Sequence, residues 1–202
     1  MAGSAGGARK TLRRAARRQR GARVNMHQLD LTRAYTDLWM ADMRRGFLTL
    51  LGDLNAPECA LLMRIMASWL AFGAPKNLQV FVDCYGGTAQ IWDVARHLAQ
   101  FRPTTCAQHA GSAGLIVYLA GAERICTPHS TFLFHGQQQR FDHMTDERRA
   151  AYMAERTGSD AGYWLSLCDT EEGYTFGADE AVRLGVAHAV RDDLHAEKQV
   201  TP

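Results

Sequence analysis

The sequence predicts an α/β domain, and three features carry that prediction. From Phe47 onward, short apolar runs of strand character alternate with stretches of helical periodicity. Two glycine-rich turns, Gly86-Gly87 and Gly111-Ser112-Ala113-Gly114, each join a strand to a helix. The chain has 202 residues, 47% hydrophobic and 22% charged, which suits one globular core that needs no staples.

The elements follow in order. Residues 47–51 read as a short strand closed by Gly52. Asn55 and Glu58 stand at capping-box spacing with Pro57 in the first turn, so a helix starts there. Leu61, Leu62, Ile65, Met66, Trp69 and Leu70 form its apolar stripe, and Gly73 and Pro75 stop it. Residues 78–82 are a second strand, running into Cys84-Tyr85-Gly86-Gly87. The next helix buries Ile91, Val94, Ala95 and Leu98. Residues 104–108 are a third strand, broken by Gly111-Ser112-Ala113-Gly114, and the apolar segment to Ala120 is a buried helix. Two short strands are expected at 124–126 and 131–134, then a long polar helix over 145–168 interrupted at Gly158. A short last helix covers 179–184 and ends at Gly185. Strand and helix in alternation argue for right-handed crossovers.

Charge divides the chain. Residues 1–25 hold eight Arg and Lys and no acid, leaving 15 bases against 21 acids, a net −6, in the remainder. Residues 1–26 are expected to be a disordered basic tail, 27–195 the folded domain and 196–202 a C-terminal tail. An upstream start codon belongs to that reading, since Met26 opens the part that reads as folded. The alternatives for the tail are an organelle presequence or an anion-binding arm. No aromatic interleaves with its arginines, which argues against a nucleic-acid stacking platform. The longest uncharged apolar stretch in the interior, 114–122, has nine residues, too few to span a bilayer. Five scattered cysteines with no CxxC pair argue against a structural zinc site or a disulfide framework. No signal-peptide pattern is seen, and a cytoplasmic location is expected.

Candidate chemistry sits at the glycine-rich turns. Ser112 follows a strand and opens a buried helix, so its hydroxyl lies at the strand's end and the N–H of Ala113 faces a developing oxyanion. The plainer reading of Ser112 is a small residue that lets helices pack. Gly86-Gly87 alone reads as a tight turn. His135 ends the apolar run 131–134 and precedes polar residues, which suits a general base or a satisfied structural histidine.

These pieces together resemble a known family. Gly111-Ser112-Ala113-Gly114, Leu119-Ala120-Gly121-Ala122, Thr127-Pro128-His129-Ser130 and Phe134-His135-Gly136 occur in that order. The proteolytic subunit of Clp protease (ClpP) has S-M-G, A-G-A, L-P-N-S and I-H-Q in the same order. Upstream, Val82-Asp83-Cys84-Tyr85-Gly86-Gly87 is similar to the family's strand ending in S-P-G-G. Downstream, Asp169-Thr170-Glu171, Glu180-Ala181-Val182 and Gly185 resemble its D-T-E, E-A-V and G. The resemblance spans residues 47–190.

The resemblance implies a ClpP/crotonase-type spiral of βαβ units and a serine endopeptidase without cofactor or metal. Ser112 matches the nucleophile, His135 the general base, and the N–H groups of Gly87 and Ala113 the oxyanion hole. It further implies a peptide or unfolded-protein substrate, a homo-oligomeric ring and an AAA+ ATP-driven unfoldase as partner. Nucleic acid and membrane are not expected as partners. The segment between His135 and Glu180 is shorter than the family's, which implies a shortened handle helix. The stretch before Phe47 does not match the family's axial loops.

One departure touches the chemistry. Gly173 falls where the family has its triad aspartate. Three readings stay open: Asp169, Glu171 or Glu172 reaches His135; a Ser–His dyad works with a backbone carbonyl orienting the imidazole; or the subunit is inactive. A non-catalytic ring subunit and a crotonase-like acyl-CoA enzyme are the rival functions, and all three share one fold.

Overall fold

Asn55 starts the first helix by the expected device. Its side chain accepts from the N–H of Glu58 (3.1 Å), and the Glu58 carboxylate accepts from the N–H of Asn55 (2.9 Å). Helix α1 runs Ala56–Phe72 and ends at Gly73, whose φ of 98° suits glycine. The computed structural model describes residues 43–136, 145–170 and 172–192, within the compact unit Met43–Pro202. The expected tails and the domain bounds at 26/27 and 195/196 lie outside the described residues.

The predicted α/β class holds. Strands β1 (Phe47–Leu51), β2 (Gln79–Cys84), β3 (Thr104–Gly111) and β4 (Glu123–Phe134) pair in parallel in chain order. Strand β5 (Tyr174–Gly177) adds to β4 antiparallel, and the short β6 (Ala189–Val190) pairs with β4 in parallel. Helices α2 (Ile91–Gln100) and α3 (Ala113–Tyr118) fill the crossovers; α1 packs on α2 and α2 on α3. Helices α4 (Asp146–Thr157) and α5 (Ala161–Cys168) form a hairpin after β4, and α6 (Ala178–Arg183) follows β5. Among the described residues no helix is long and apolar enough to cross a membrane.

Local details differ from the expectation for physical reasons. Strands β2 and β3 run two and three residues past their predicted ends at 82 and 108, because parallel neighbours pair them on both sides. The two short strands at 124–126 and 131–134 are one strand, β4. Its pairing with β3 is interrupted between Cys126 and Thr131, around Pro128, which has no N–H to donate. The Ser130 hydroxyl bridges that gap, donating to Ala107 O (2.6 Å) and accepting from the Thr127 N–H (2.8 Å). The long helix is divided at Gly158, which takes the left-handed conformation (φ 72°). In α1, Cys59 is buried and Leu70 is exposed, so the apolar stripe ends a turn earlier than the sequence suggests.

The core lies between the sheet and the helices. Val80, Val82, Leu62, Met66, Leu98, Leu115, Phe132 and Trp164 are fully buried. Every residue of α3 is buried, so its end carbonyls need partners inside the protein. Tyr152 Oη donates to Ile116 O (3.1 Å), Arg156 Nε to Leu119 O (2.7 Å), and both Arg124 Nη1 (3.2 Å) and Arg156 Nη2 (2.9 Å) to Gly121 O. Two cations thus sit at the electronegative end of α3, whose other end begins at Ser112.

Candidate active site

Ser112 stands at the sharp turn from β3 to α3. Its backbone is at φ 50°, ψ −112°. Arg102 also has a positive φ (50°), but it follows the last turn of α2, where a left-handed residue is ordinary. The ψ of Ser112 takes it outside the left-handed basin altogether. Two features make the turn possible. The Ser112 N–H donates to Leu133 O (2.9 Å), tying the serine to β4. Gly114 lets α3 press on the end of β2: a Cβ there would lie 2.9 Å from both the carbonyl carbon and Cβ of Cys84. The Ser112 side chain makes no cap bond, so its hydroxyl is uncommitted by the helix.

The turn after β2 meets the same place. Leu54 bridges to Gly87, with the Leu54 N–H donating to Gly86 O (3.1 Å) and the Thr88 N–H to Leu54 O (3.0 Å). A Cβ on Gly87 would sit 3.0 Å from the Ala113 Cβ and 2.9 Å from Leu54 O. Residues 87 and 113 are therefore neighbours, and only glycine allows that approach. Among the described residues, neither N–H donates to a backbone acceptor. The thiol next to this turn is buried: Cys84 donates to Gly86 O (3.1 Å), and burial pushes its pKa up to about 11, away from the nucleophilic thiolate.

His135 lies just past the end of β4, two residues beyond the carbonyl that holds Ser112. Its Nδ1 is 2.5 Å from Gly136 O. A carbonyl can only accept, so this contact places a proton on Nδ1, and in the neutral ring Nε2 then keeps its lone pair. Arg149 Nη1 donates to the His135 carbonyl (3.0 Å). Among the described residues no hydrogen bond joins Ser112 Oγ to the imidazole, and such bonds are often long before substrate binds.

No carboxylate bonds His135 among the described residues. Gly173 lies against it: a Cβ at 173 would be 2.7 Å from the His135 Cβ and 2.9 Å from Phe134 O, with φ at +76°. Of the acids considered as substitutes, Asp169 and Glu172 make no bond to the imidazole, and Glu171 lies outside the described residues. Gly136 is forced as well, since a Cβ on it would lie 3.1 Å from the Cα of Cys168 at the end of α5.

Two features escaped the sequence reading. One is which carbonyl meets the imidazole, that of Gly136, and the bond from Arg149 to the neighbouring His135 carbonyl; the only signal was a glycine where the resembled motif has glutamine. The other is a carboxylate–imidazole pair on adjoining strands. Asp83 Oδ1 is 2.8 Å from His109 Nδ1, and Tyr85 stacks on the His109 ring at 5.3 Å. The two residues are far apart in sequence and meet only through the β2–β3 register. Among the described residues no group of three or more His, Cys, Asp and Glu is placed to hold a metal ion.

No protein-family model matches this chain, and no curated protein matches it.

Proposed function

We propose that the protein is a serine endopeptidase of the ClpP type that works as a Ser–His dyad, with a backbone carbonyl in place of the third acid. The observation that carries this reading is the Ser112 backbone. A non-glycine residue at φ 50°, ψ −112° costs about 1–3 kcal/mol and is typical of sites where strain serves chemistry. The turn presents the hydroxyl at the end of a strand, as nucleophile turns do.

The mechanism is acyl transfer. His135 Nε2 takes the proton of Ser112 Oγ, and Oγ attacks the peptide carbonyl. The N–H groups of Gly87 and Ala113 hold the oxyanion. The intermediate collapses, His135 protonates the departing amine, and water hydrolyses the acyl-enzyme with His135 again as base. Gly136 O keeps the tautomer that this sequence of steps requires. It carries no full charge, so it stabilises the imidazolium less than a carboxylate does, and a slow enzyme is expected.

The sequential parallel order of β1 to β4, with α1, α2 and α3 touching in succession, supports a ClpP/crotonase-type spiral. The α4–α5 hairpin supports a shortened handle. The partners that go with this reading are an unfolded polypeptide, further copies of the chain in a ring and an ATP-driven unfoldase, in the cytoplasm.

The test is intact-mass detection of fluorophosphonate labelling. Wild type is expected to gain one adduct, Ser112→Ala none, and His135→Gln an adduct at a rate lower by about two decades or more. Folded, oligomeric wild type that gains no adduct overturns the proposal and favours a non-catalytic ring subunit.

A further inference from the structure

Arg149 occupies a position that costs energy twice. It is 9% exposed, and burial, its largest influence, pulls its pKa down. It also lies at the end of the first turn of α4, beside the positive end of the helix dipole, where a cation is disfavoured. Asp146, one turn earlier, offsets part of this. Surface-facing alternatives exist on the same helix, as the exposed Glu147 and Arg148 show. The guanidinium is instead turned inward, with Nη1 3.0 Å from the carbonyl of His135. A charge-assisted bond of this kind is about twice as strong as a neutral one.

That carbonyl is one peptide away from the one that bonds the imidazole. Holding the His135 C=O fixes the plane of the His135–Gly136 peptide. It thereby limits where the Gly136 carbonyl can lie. On the other side, Gly136 is packed against Cys168 with no room for a side chain. The segment that follows β4 is thus gripped by α4 through Arg149 and by α5 through Cys168. Gly136 O is left at 2.5 Å from Nδ1.

We propose that Arg149 is the positioning residue of His135: by holding the His135 carbonyl, it sets the Gly136 carbonyl against Nδ1 and so selects the tautomer with Nε2 free. It does not touch the imidazole and is not a catalytic residue. The assignment deepens the serine peptidase reading, which rests on Ser112 and His135. Its consequence for the imidazole exists whether or not the protein cleaves peptides.

The test is therefore spectroscopic. Long-range ¹H–¹⁵N correlation on the full chain labelled with ¹⁵N-histidine reads which ring nitrogen carries the proton. Loss of one signal in His135→Gln assigns His135. Wild type is expected to show His135 as the Nδ1–H tautomer. Arg149→Met is expected to shift it toward Nε2–H, the form a free side chain favours, and Arg149→Lys to retain part of the Nδ1–H form. Wild type in the Nε2–H form overturns the inference. So does a folded Arg149→Met that keeps Nδ1–H. Should Arg149→Met not fold, Arg149→Gln and Arg149→Lys decide by the same criterion: Nδ1–H unchanged in both overturns it. Fluorophosphonate labelling of the same samples separates the two claims. Unlabelled wild type overturns the peptidase reading while the tautomer still judges Arg149. Labelled wild type with an unchanged tautomer in the Arg149 variants overturns only the Arg149 inference. Where both hold, the maximal labelling rate of Arg149→Met falls at least tenfold while its half-saturating reagent concentration is unchanged.

Discussion

At Ser112 the fold spends about 1–3 kcal/mol on backbone strain, and the burial of all of α3 behind it offsets that. The neighbouring glycines each exclude a side chain for a specific reason. At Gly87 the obstacle is Ala113 and Leu54, at Gly114 it is Cys84, and at Gly173 it is His135 itself. The last of these decides an obvious experiment. Restoring a carboxylate by Gly173→Asp puts a Cβ 2.7 Å from that of His135 at a φ of +76°. Gly173→Asp is expected to lower stability by about 1–3 kcal/mol without raising the labelling rate. Urea midpoints and intact-mass kinetics on the same samples check this. A faster variant at unchanged midpoint means the site has room for the missing acid.

At the scale of elements, Arg124 holds β4 to the last turn of α4 and to the segment after α6. Its side chain donates to Gly121 O, Arg156 O, Gly185 O and Val186 O and is 5% exposed. Arg124→Met leaves buried carbonyls without their donor and is expected to cost about 2–4 kcal/mol, read from urea unfolding. The same junction is expected to be sensitive to acid. The Arg124 N–H donates to His188 Nδ1 (3.2 Å), and burial first, then the Arg124 charge, lowers the His188 pKa from its ordinary 6.5. A histidine kept neutral in the fold but free to protonate when unfolded stabilises above the unfolded pKa. That contribution is lost as pH falls through 6.5 toward the lowered folded value. Unfolding midpoints of wild type should therefore drop below about pH 6.5, and His188→Gln should flatten that part of the curve. An equal drop in the variant assigns the acid sensitivity elsewhere.

At the scale of the molecule, β1 is an edge of the sheet among the described residues, with Phe47 and Leu51 exposed, and Phe72 stands 91% exposed at the end of α1. If the ring reading holds, light scattering will return a mass several-fold above the 22.4 kDa of one chain, stable to dilution. A 22.4 kDa particle at micromolar concentration removes the ring from the proposal and leaves the site chemistry untouched.

The fold was legible where local chemistry dictates structure. The Asn55–Glu58 cap, the stripe Ile91, Val94, Ala95 and Leu98, and the break at Gly158 are all interactions within a few residues, so spacing alone predicts them. Strand β5 was not legible, because Tyr174–Gly177 is a strand only by pairing with β4, and β6 depends on β4 likewise. The candidate site divides in the same way. Ser112, Ala113, Gly87 and His135 stand out in the sequence because strand-to-helix turns and strand ends are local features. What surrounds His135 does not, because Arg149 and Gly173 reach it, and Cys168 reaches the adjoining Gly136, from three later segments. Residue types and their order determined the α/β class and the candidate serine and histidine. Only the tertiary structure set the Gly136 carbonyl 2.5 Å from His135 Nδ1. The carbonyl is present at every residue and carries no signature in the sequence, so packing alone selects the one that is used.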